Sequence, residues 1–276
     1  MSSRLSDRFA SLAREDRAGF IAYVMAGDPD LATSLRIVQG LPAAGADVIE
    51  VGLPFSDPMA DGPSIQRAAI RALAGGAVMA DVFDLVRTFR REDAATPIVL
   101  MGYLNPLMSL GFDRFASEAA AAGADGVIVV DCPPEEADPL SDALEAAGLD
   151  LIRLATPTTD AERLRVVARR TGGFVYYVAV AGVTGGKAAR AMDVAPQVAA
   201  VRAASGMPVA VGFGIRTAEQ AREIARIADA AVVGSALVDA LAAALEKGAD
   251  PVGAVTGLAG QLALAVHGAR EETTVG

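Results

Sequence analysis

The stretch that decides the fold runs from Asp47 to Pro63, DVIEVGLPFSDPMADGP, and joins an apolar strand to a stiff acidic loop. Side chains alternate between the two faces of a strand, so Val48, Glu50 and Gly52 share one face. An ionised carboxylate in such apolar surroundings is costly unless it is paired or protonated. The sequence therefore predicts that Glu50 has a pKa raised toward neutrality, as a proton-transferring glutamate requires.

Seven further segments resemble the Asp47 strand, and most are continuously apolar, which is typical of parallel strands buried on both faces. The eight predicted strands are residues 20–26, 47–53, 98–103, 126–131, 150–155, 174–180, 208–212 and 230–234. Between them, apolar residues spaced by three and four predict helices. These helices are residues 31–44, 65–74, 82–91, 112–122, 134–147, 161–171, 195–204 and 218–228.

Eight strand–helix units predict a closed (β/α)8 TIM barrel better than a doubly wound sheet, although the pattern alone also permits an open sheet. Residues 5–13 add an N-terminal helix, and residues 252–266 form a further apolar segment. We find no linker and no internal repeat. We therefore expect one barrel domain over residues 1–276.

The composition limits the cellular compartments and the kinds of binding partner that we expect. The formal net charge of -10 argues against nucleic-acid and anionic-membrane partners. A single cysteine permits no intramolecular disulfide, which fits a reducing compartment. The N-terminus lacks a signal-peptide pattern, and no apolar run is long enough to span a membrane. We expect a cytoplasmic protein.

The scarcity of histidine and lysine argues against several kinds of catalytic site. His267 is the only histidine, which disfavours a histidine-ligated metal or a Ser-His-Asp triad. Lys187 and Lys247 are the only lysines, and neither lies in a predicted strand as a Schiff-base lysine would. Carboxylates and tyrosines remain for proton transfer.

Glycine-rich turns follow the last three predicted strands, at residues 182–186, 212–215 and 234–236. In TIM barrels phosphate often binds to the loops after the last strands and to a helix N-terminus. Ser235 could add a donor and cap a short helix. One such turn is ordinary turn chemistry, but three together favour a phosphorylated ligand.

Three other positions each permit two interpretations. Asp61 could be a catalytic carboxylate or the N-cap of the helix that begins near Pro63. Tyr176 could place its hydroxyl in the barrel mouth or lie in the core. Tyr103, at the end of the third strand, has the same ambiguity.

The segment EVGLPFSDPMADGP from Glu50 to Pro63, followed by Ile65 and Gln66, closely resembles the signature of the tryptophan synthase α subunit family. Further similar motifs are Gly27-Asp28-Pro29, Met101 to Pro106, Ala181 to Gly185, Gly212 to Ile215 and Gly234-Ser235. The resemblance extends over nearly the whole chain and is highly specific.

The resemblance implies a carbon-carbon lyase of tryptophan biosynthesis that cleaves indole-3-glycerol phosphate to indole and glyceraldehyde 3-phosphate. Glu50 is then the acid-base group, and Asp61 accepts the indole N–H and stabilises positive charge on the ring. The implied substrate-binding residues are Tyr176, Gly185, Phe213, Gly214, Gly234 and Ser235.

The resemblance also implies a partner, the tryptophan synthase β subunit, in an α2β2 heterotetramer. Pyridoxal phosphate belongs to that β subunit, and we expect no cofactor in this chain. The loops at residues 54–61 and 184–190 are expected to face the partner. Met25 and residues 187–192 depart from the commoner family pattern, which affects expectations about loop closure and coupling rather than the reaction.

Two rival functions remain at this point. Another phosphate-binding barrel, such as an oxidoreductase that uses flavin mononucleotide, would place its phosphate on the same strand ends and make the protein yellow. A catalytically inactive barrel that only activates a partner would release no indole from indole-3-glycerol phosphate.

Overall fold

The computed structural model describes residues 3–179, 191–212 and 214–271, and eight parallel strands in it form a closed barrel. Each strand pairs with the next in sequence, and the last pairs with the first. The strands are β1 Gly19–Met25, β2 Val48–Gly52, β3 Ile98–Gly102, β4 Gly126–Val129, β5 Asp150–Ala155, β6 Val175–Val178, β7 Val209–Gly212 and β8 Ala230–Val233. The predicted TIM barrel is confirmed, and the open sheet is excluded by the β1–β8 pairing.

Helices surround the barrel. They are α1 Arg4–Arg14, α2 Leu31–Gly40, α3 Pro63–Ala74, α4 Met79–Phe89, α5 Leu104–Leu110, α6 Phe112–Ala122, α7 Asp138–Ala146, α8 Ala161–Ala168, α9 Ala191–Ser205, α10 Ala218–Ala225, α11 Ser235–Glu246 and α12 Pro251–His267. The sequence analysis missed α5, whose seven residues are too few to show a clear helical period. It also merged a 3-10 turn at Pro134–Glu136 with α7.

Strand alternation separates two apolar layers, as the sequence predicts. Ile49 and Val51 of β2 belong to the core between the barrel and its helices. Val48 belongs to the barrel interior, where it joins side chains of α1 such as Leu5 and Phe9. Helix α1 thus covers the N-terminal end of the barrel, and Glu50, on the face of Val48, points into the interior.

Three aspartates, each directly before a strand, connect neighbouring strands at the N-terminal end of the barrel. This pattern was not recognised from the sequence. Asp47, Asp125 and Asp229 directly precede β2, β4 and β8. Each carboxylate accepts a hydrogen bond from a backbone N–H at the start of the preceding strand, at 2.7 to 2.8 Å. The donors are Phe20 for Asp47, Ile98 for Asp125 and Val209 for Asp229. The pattern is a single side chain with a backbone partner, too short to stand out in the sequence.

Basic side chains also bind these aspartates, and we call each aspartate together with its partners an aspartate clamp. The Asp125 carboxylate, which is buried, accepts from Arg4 Nη1 at 2.8 Å and from Arg90 Nη2 at 2.7 Å. The Asp47 carboxylate contacts Arg17 at 3.1 Å and His267 Nε2 at 2.8 Å, which ties α12 to the barrel. The clamps neutralise carboxylates that would be costly to bury alone.

We expect Asp125→Asn to lower the free energy of unfolding by roughly 3 kcal/mol, because it leaves two arginines and a backbone donor without their charged acceptor. Urea unfolding monitored by circular dichroism measures the change. The control is Asp84→Asn, which removes an exposed ion pair with Arg87 and should change stability by less than about 1 kcal/mol. Equal effects of the two variants would contradict a clamping role for Asp125.

Candidate active site

Glu50 lies at the centre of β2 with its side chain inside the barrel, and only 1% of the residue is exposed. Among the described residues, neither carboxyl oxygen has a hydrogen-bond partner. Burial raises the pKa of Glu50 to about 8. The raised pKa expected from the sequence is therefore found, and Glu50 carries a proton at neutral pH.

Two buried tyrosines share the interior with Glu50. Tyr23 on β1 is the register partner of Glu50, and Tyr176 lies on β6. Burial raises the pKa of both hydroxyls well above the usual value, and the charges of Asp61 and Glu50 raise it further. Both tyrosines therefore remain neutral hydrogen-bond donors near the two carboxyl groups. Tyr176 has features of both interpretations, because it belongs to the buried interior cluster and its hydroxyl feels the charges of Glu50 and Asp61.

The sequence analysis missed Tyr23, although the signal was available. Tyr23 follows Ile21 at a spacing of two on β1, and Ile21 lies in the barrel interior. Residues spaced by two share a face, so the first strand already placed this hydroxyl inside.

Glycines at the strand ends make room for the two tyrosines. A Cβ atom on Gly52 would overlap the Tyr23 hydroxyl, and one on Gly212 would overlap the Tyr176 hydroxyl. A Cβ on Gly234 would lie 3.1 Å from the Tyr23 ring. These glycines therefore have a packing role that the sequence analysis did not foresee.

Asp61 lies in the loop between β2 and α3, and burial raises its pKa to about 6, an increase partly offset by the Tyr103 hydroxyl. The alternative interpretation of Asp61 as a helix cap is wrong. The N-cap of α3 is Gly62, which has no side-chain capping bond, and Pro63 is the first helical residue. The Asp61 side chain does not cap α3, and its carboxylate lies beside the Tyr103 hydroxyl instead.

Contacts from β3 and α3 hold this acidic loop. The Ala60 N–H donates to the Tyr103 hydroxyl at 3.0 Å, and Gln66 Nε2 donates to the Asp61 carbonyl at 2.9 Å. The rings of Phe55 and Tyr103 pack with centroids 5.3 Å apart. Tyr103, which the sequence allowed to lie in the barrel mouth or in the core, is buried, and its hydroxyl contacts the loop that carries Asp61.

A buried ion pair connects the loop after β1 to α3. Arg71 Nε and Nη2 donate to the two carboxylate oxygens of Asp28 at 2.7 and 2.8 Å. Burial raises the pKa of Asp28 and Arg71 opposes that rise, so the pair carries its own desolvation penalty. The bidentate geometry fixes the helix that follows Asp61.

The predicted phosphate-binding residues are only partly described. Gly185 and Phe213 lie outside the described residues, as do residues 184–190 of the second partner-facing loop. Gly214 follows β7 with φ of 83°, while Gly234 and Ser235 follow the neighbouring strand β8. Ser235 is not the cap expected: Gly234 is the N-cap of α11, with no side-chain capping bond. The start of α11 leaves backbone N–H groups at this end of the barrel.

The structure has neither a metal-binding cluster nor a membrane-spanning helix among its described residues. No group of three or more His, Cys, Asp or Glu side chains is placed to hold a metal ion within the described ranges. In the same part of the chain, no helix is both long and apolar enough to cross a membrane.

Met25, one of the departures from the family pattern, packs in a buried cluster with Tyr23 and Ile65.

Comparison with known proteins assigns the family. A sequence profile described as "Tryptophan synthase alpha chain" matches residues 9–267. The chain belongs to the tryptophan synthase alpha chain family. It is 63% identical over 268 residues to the tryptophan synthase alpha chain of Phenylobacterium zucineum (strain HLK1), covering 97% of each chain. It is 62% identical over 270 residues to that of Caulobacter vibrioides (strain NA1000 / CB15N), covering 98% of each.

Solved structures of tryptophan synthase alpha chains share the fold. Tryptophan synthase subunit alpha from Legionella pneumophila str. Paris superposes with a TM-score of 0.90 at 40% identity, over 96% of this chain and 99% of that one. A chain of Mycobacterium tuberculosis tryptophan synthase gives 0.87 at 38% identity, over 97% and 99%. Membership of this family does not favour the flavin-dependent oxidoreductase considered from the sequence.

We expect Glu50→Gln to become more stable than the native protein as pH rises. The pKa of Glu50 is about 8 when folded against 4.5 as its ordinary value, so ionisation penalises the folded state increasingly between these values and fully above about 8. The variant should gain about 2 to 4 kcal/mol relative to native between pH 4 and pH 9. Urea unfolding across this range measures the difference.

The control for this series is Glu145→Gln, which removes an exposed carboxylate. Its stability difference from native should stay nearly constant with pH. A Glu50→Gln difference that is equally flat would show that Glu50 ionises in the folded protein as it does in the unfolded one.

Proposed function

We propose that this chain cleaves indole-3-glycerol phosphate to indole and glyceraldehyde 3-phosphate, as a carbon-carbon lyase of tryptophan biosynthesis, with Glu50 and Asp61 as its catalytic residues. The observation that carries the residue assignment is Glu50. It is buried inside the barrel, has no hydrogen-bond partner among the described residues, and has a pKa of about 8. A carboxyl group that is protonated at neutral pH can act as a general acid.

The proton moves in two steps in this mechanism. Protonated Glu50 donates to C3 of the indole ring, which places positive charge on the ring nitrogen. The carbon–carbon bond to the glycerol side chain then breaks, and its electron pair returns to the ring. The adjacent glycerol hydroxyl gives its proton to the Glu50 carboxylate and becomes the aldehyde. Glu50 ends the cycle protonated, so one residue serves as acid and then as base.

Asp61 balances the positive charge on the ring. With a pKa of about 6, its carboxylate is largely ionised at neutral pH, while Glu50 is largely protonated. Two carboxyl groups in one site thus hold different protonation states, which is the arrangement that acid-base enzymes use to separate roles. Asp61 accepts the indole N–H, and this hydrogen bond strengthens as the ring becomes cationic.

The remaining residues hold the substrate. The neutral hydroxyls of Tyr23 and Tyr176 supply donors beside the carboxyl pair, and Tyr23 extends the set expected from the sequence. At the phosphate end we propose backbone N–H groups of glycines together with the start of α11. The proposed phosphate-binding residues are Gly185, Phe213, Gly214, Gly234 and Ser235.

We further propose that the chain works with a tryptophan synthase β subunit in an α2β2 heterotetramer in the cytoplasm. That subunit carries pyridoxal phosphate and consumes the indole, and this chain needs no cofactor of its own. The loop at residues 54–61 supports a partner at the barrel mouth, because its Met59 is 83% exposed. Methionine is enriched in protein–protein interfaces, so an exposed methionine in the loop beside the site is consistent with a partner docked there.

We expect Glu50→Gln to abolish indole formation from indole-3-glycerol phosphate, because the amide keeps the shape and lacks the transferable proton. Indole is measured with and without β subunit, and glycerol phosphate binding checks that the site remains folded. Glu145→Gln, exposed on α7, is the matched control and should keep native activity. Turnover by Glu50→Gln within about tenfold of native, which is only about 1.4 kcal/mol of barrier, would show that another group transfers the proton.

We expect kcat/KM to depend on pH as a bell with limbs near pH 6 and pH 8. Activity falls below the lower limb as Asp61 becomes protonated, and above the upper limb as Glu50 loses its proton. Asp61→Asn should lower activity by at least about a hundredfold and remove the acidic limb, since the amide does not balance positive charge. An acidic limb that persists in this variant would assign it to another group.

A further inference from the structure

A cavity of about 320 Å³ lies at the C-terminal ends of β4 and β5, apart from the proposed substrate phosphate site after β7 and β8. Its lining includes the turn from Asp131 to Pro134, and Arg153, Leu154 and Thr156 of β5 and its following residues. We propose that this cavity binds a small oxyanion, a phosphate or a carboxylate, through the Arg153 guanidinium.

Among the described residues, Arg153 lacks the charged partner that a buried guanidinium normally has. The residue is 7% exposed and lies on the outward face of β5 with Leu151 and Ala155, opposite the face that lines the barrel interior. Its Nη2 donates to Ser141 Oγ at 3.3 Å, and its Nε has no hydrogen-bond partner among the described residues. No carboxylate within the described ranges forms an ion pair with it.

The acidic residues nearest to Arg153 are bound to other groups. Glu135 forms an ion pair with Arg163, and Asp138 contacts Arg170 at 3.5 Å. Asp131, which lines the cavity, accepts the Leu104 N–H at 2.7 Å. Glu135 and Asp138 therefore act on Arg153 only through their charges, and no carboxylate of the described residues makes a direct ion pair with its guanidinium.

The oxygens of a phosphate or a carboxylate would supply the negatively charged hydrogen-bond acceptor that Arg153 lacks among the described residues. A charge taken out of water is costly unless it is paired, and the planar guanidinium fork pairs best with carboxylate or phosphate oxygens. The cavity has the volume of about ten water molecules, so a hydrated phosphate fits within it. Arg153 comes from a rigid strand, so its position does not depend on a ligand.

Cys132 provides a built-in reporter of this site. It is the only cysteine of the chain, it lines the same cavity, and it is half-buried. Alkylation of native protein therefore reports on this cavity alone. Phosphate that binds elsewhere, such as at Ser235, does not touch the thiol.

The experiment compares alkylation of Cys132 by anionic iodoacetate and neutral iodoacetamide, in the native chain and in Arg153→Met. A positive charge in the cavity concentrates the anionic reagent, so the iodoacetate to iodoacetamide rate ratio should fall about fivefold in the variant. Arg170→Met removes the same charge from a neighbouring exposed site and should keep the native ratio. An unchanged ratio in Arg153→Met would overturn the proposal.

Protection distinguishes the two oxyanion classes and needs no variant. Inorganic phosphate or acetate should slow the iodoacetamide reaction of the native protein, and the anion that protects at lower concentration identifies the class. Chloride at the same ionic strength controls for screening. If chloride protects equally, or if neither oxyanion protects, the cavity holds no oxyanion site. If Arg153→Met does not fold, Arg153→Gln, which removes the charge and keeps a hydrogen-bonding head, takes its place with the same expected fall in the ratio.

Discussion

The proposed active site is arranged around one buried carboxyl group that has no hydrogen-bond partner among the described residues. Glu50 is placed by β2 among the interior side chains of a closed barrel, where ionisation is penalised. The same burial that costs stability at high pH supplies a proton donor at neutral pH. Asp61, less deeply buried and next to Tyr103, keeps the opposite protonation state. The difference between the two environments is the basis for the two roles that we propose.

Rigid elements at both ends of the barrel maintain that environment. At the N-terminal end, aspartate clamps fasten β1 to β2, β3 to β4 and β7 to β8. At the mouth, the Asp28–Arg71 pair fixes α3 and thereby the loop that carries Asp61. Neither set of contacts touches the catalytic pair.

The sequence predicted the barrel well because parallel strands buried on both faces leave continuous apolar segments, as at residues 98–102 and 230–233. Glu50 was recognisable for the same reason, as a charge in such a segment. Asp61 required the family motif, since an acidic residue before Pro63 also fits a helix cap. Tyr23 was predictable from its spacing of two from Ile21, whereas Arg153 was not, because its surroundings depend on Ser141 of the neighbouring helix. The assignment of residues 1–276 to one domain and of the site residues to their roles remain predictions.

The position of α1 limits the side from which small molecules can enter and leave the barrel. Because Leu5, Phe9 and Leu12 pack into the N-terminal end of the barrel, the interior is closed on that side. In the described part of the chain, the interior is then open toward the mouth, on the side of the loop that carries Met59. A partner docked over the mouth, as we propose, would receive a product that leaves the barrel, because α1 closes the opposite end.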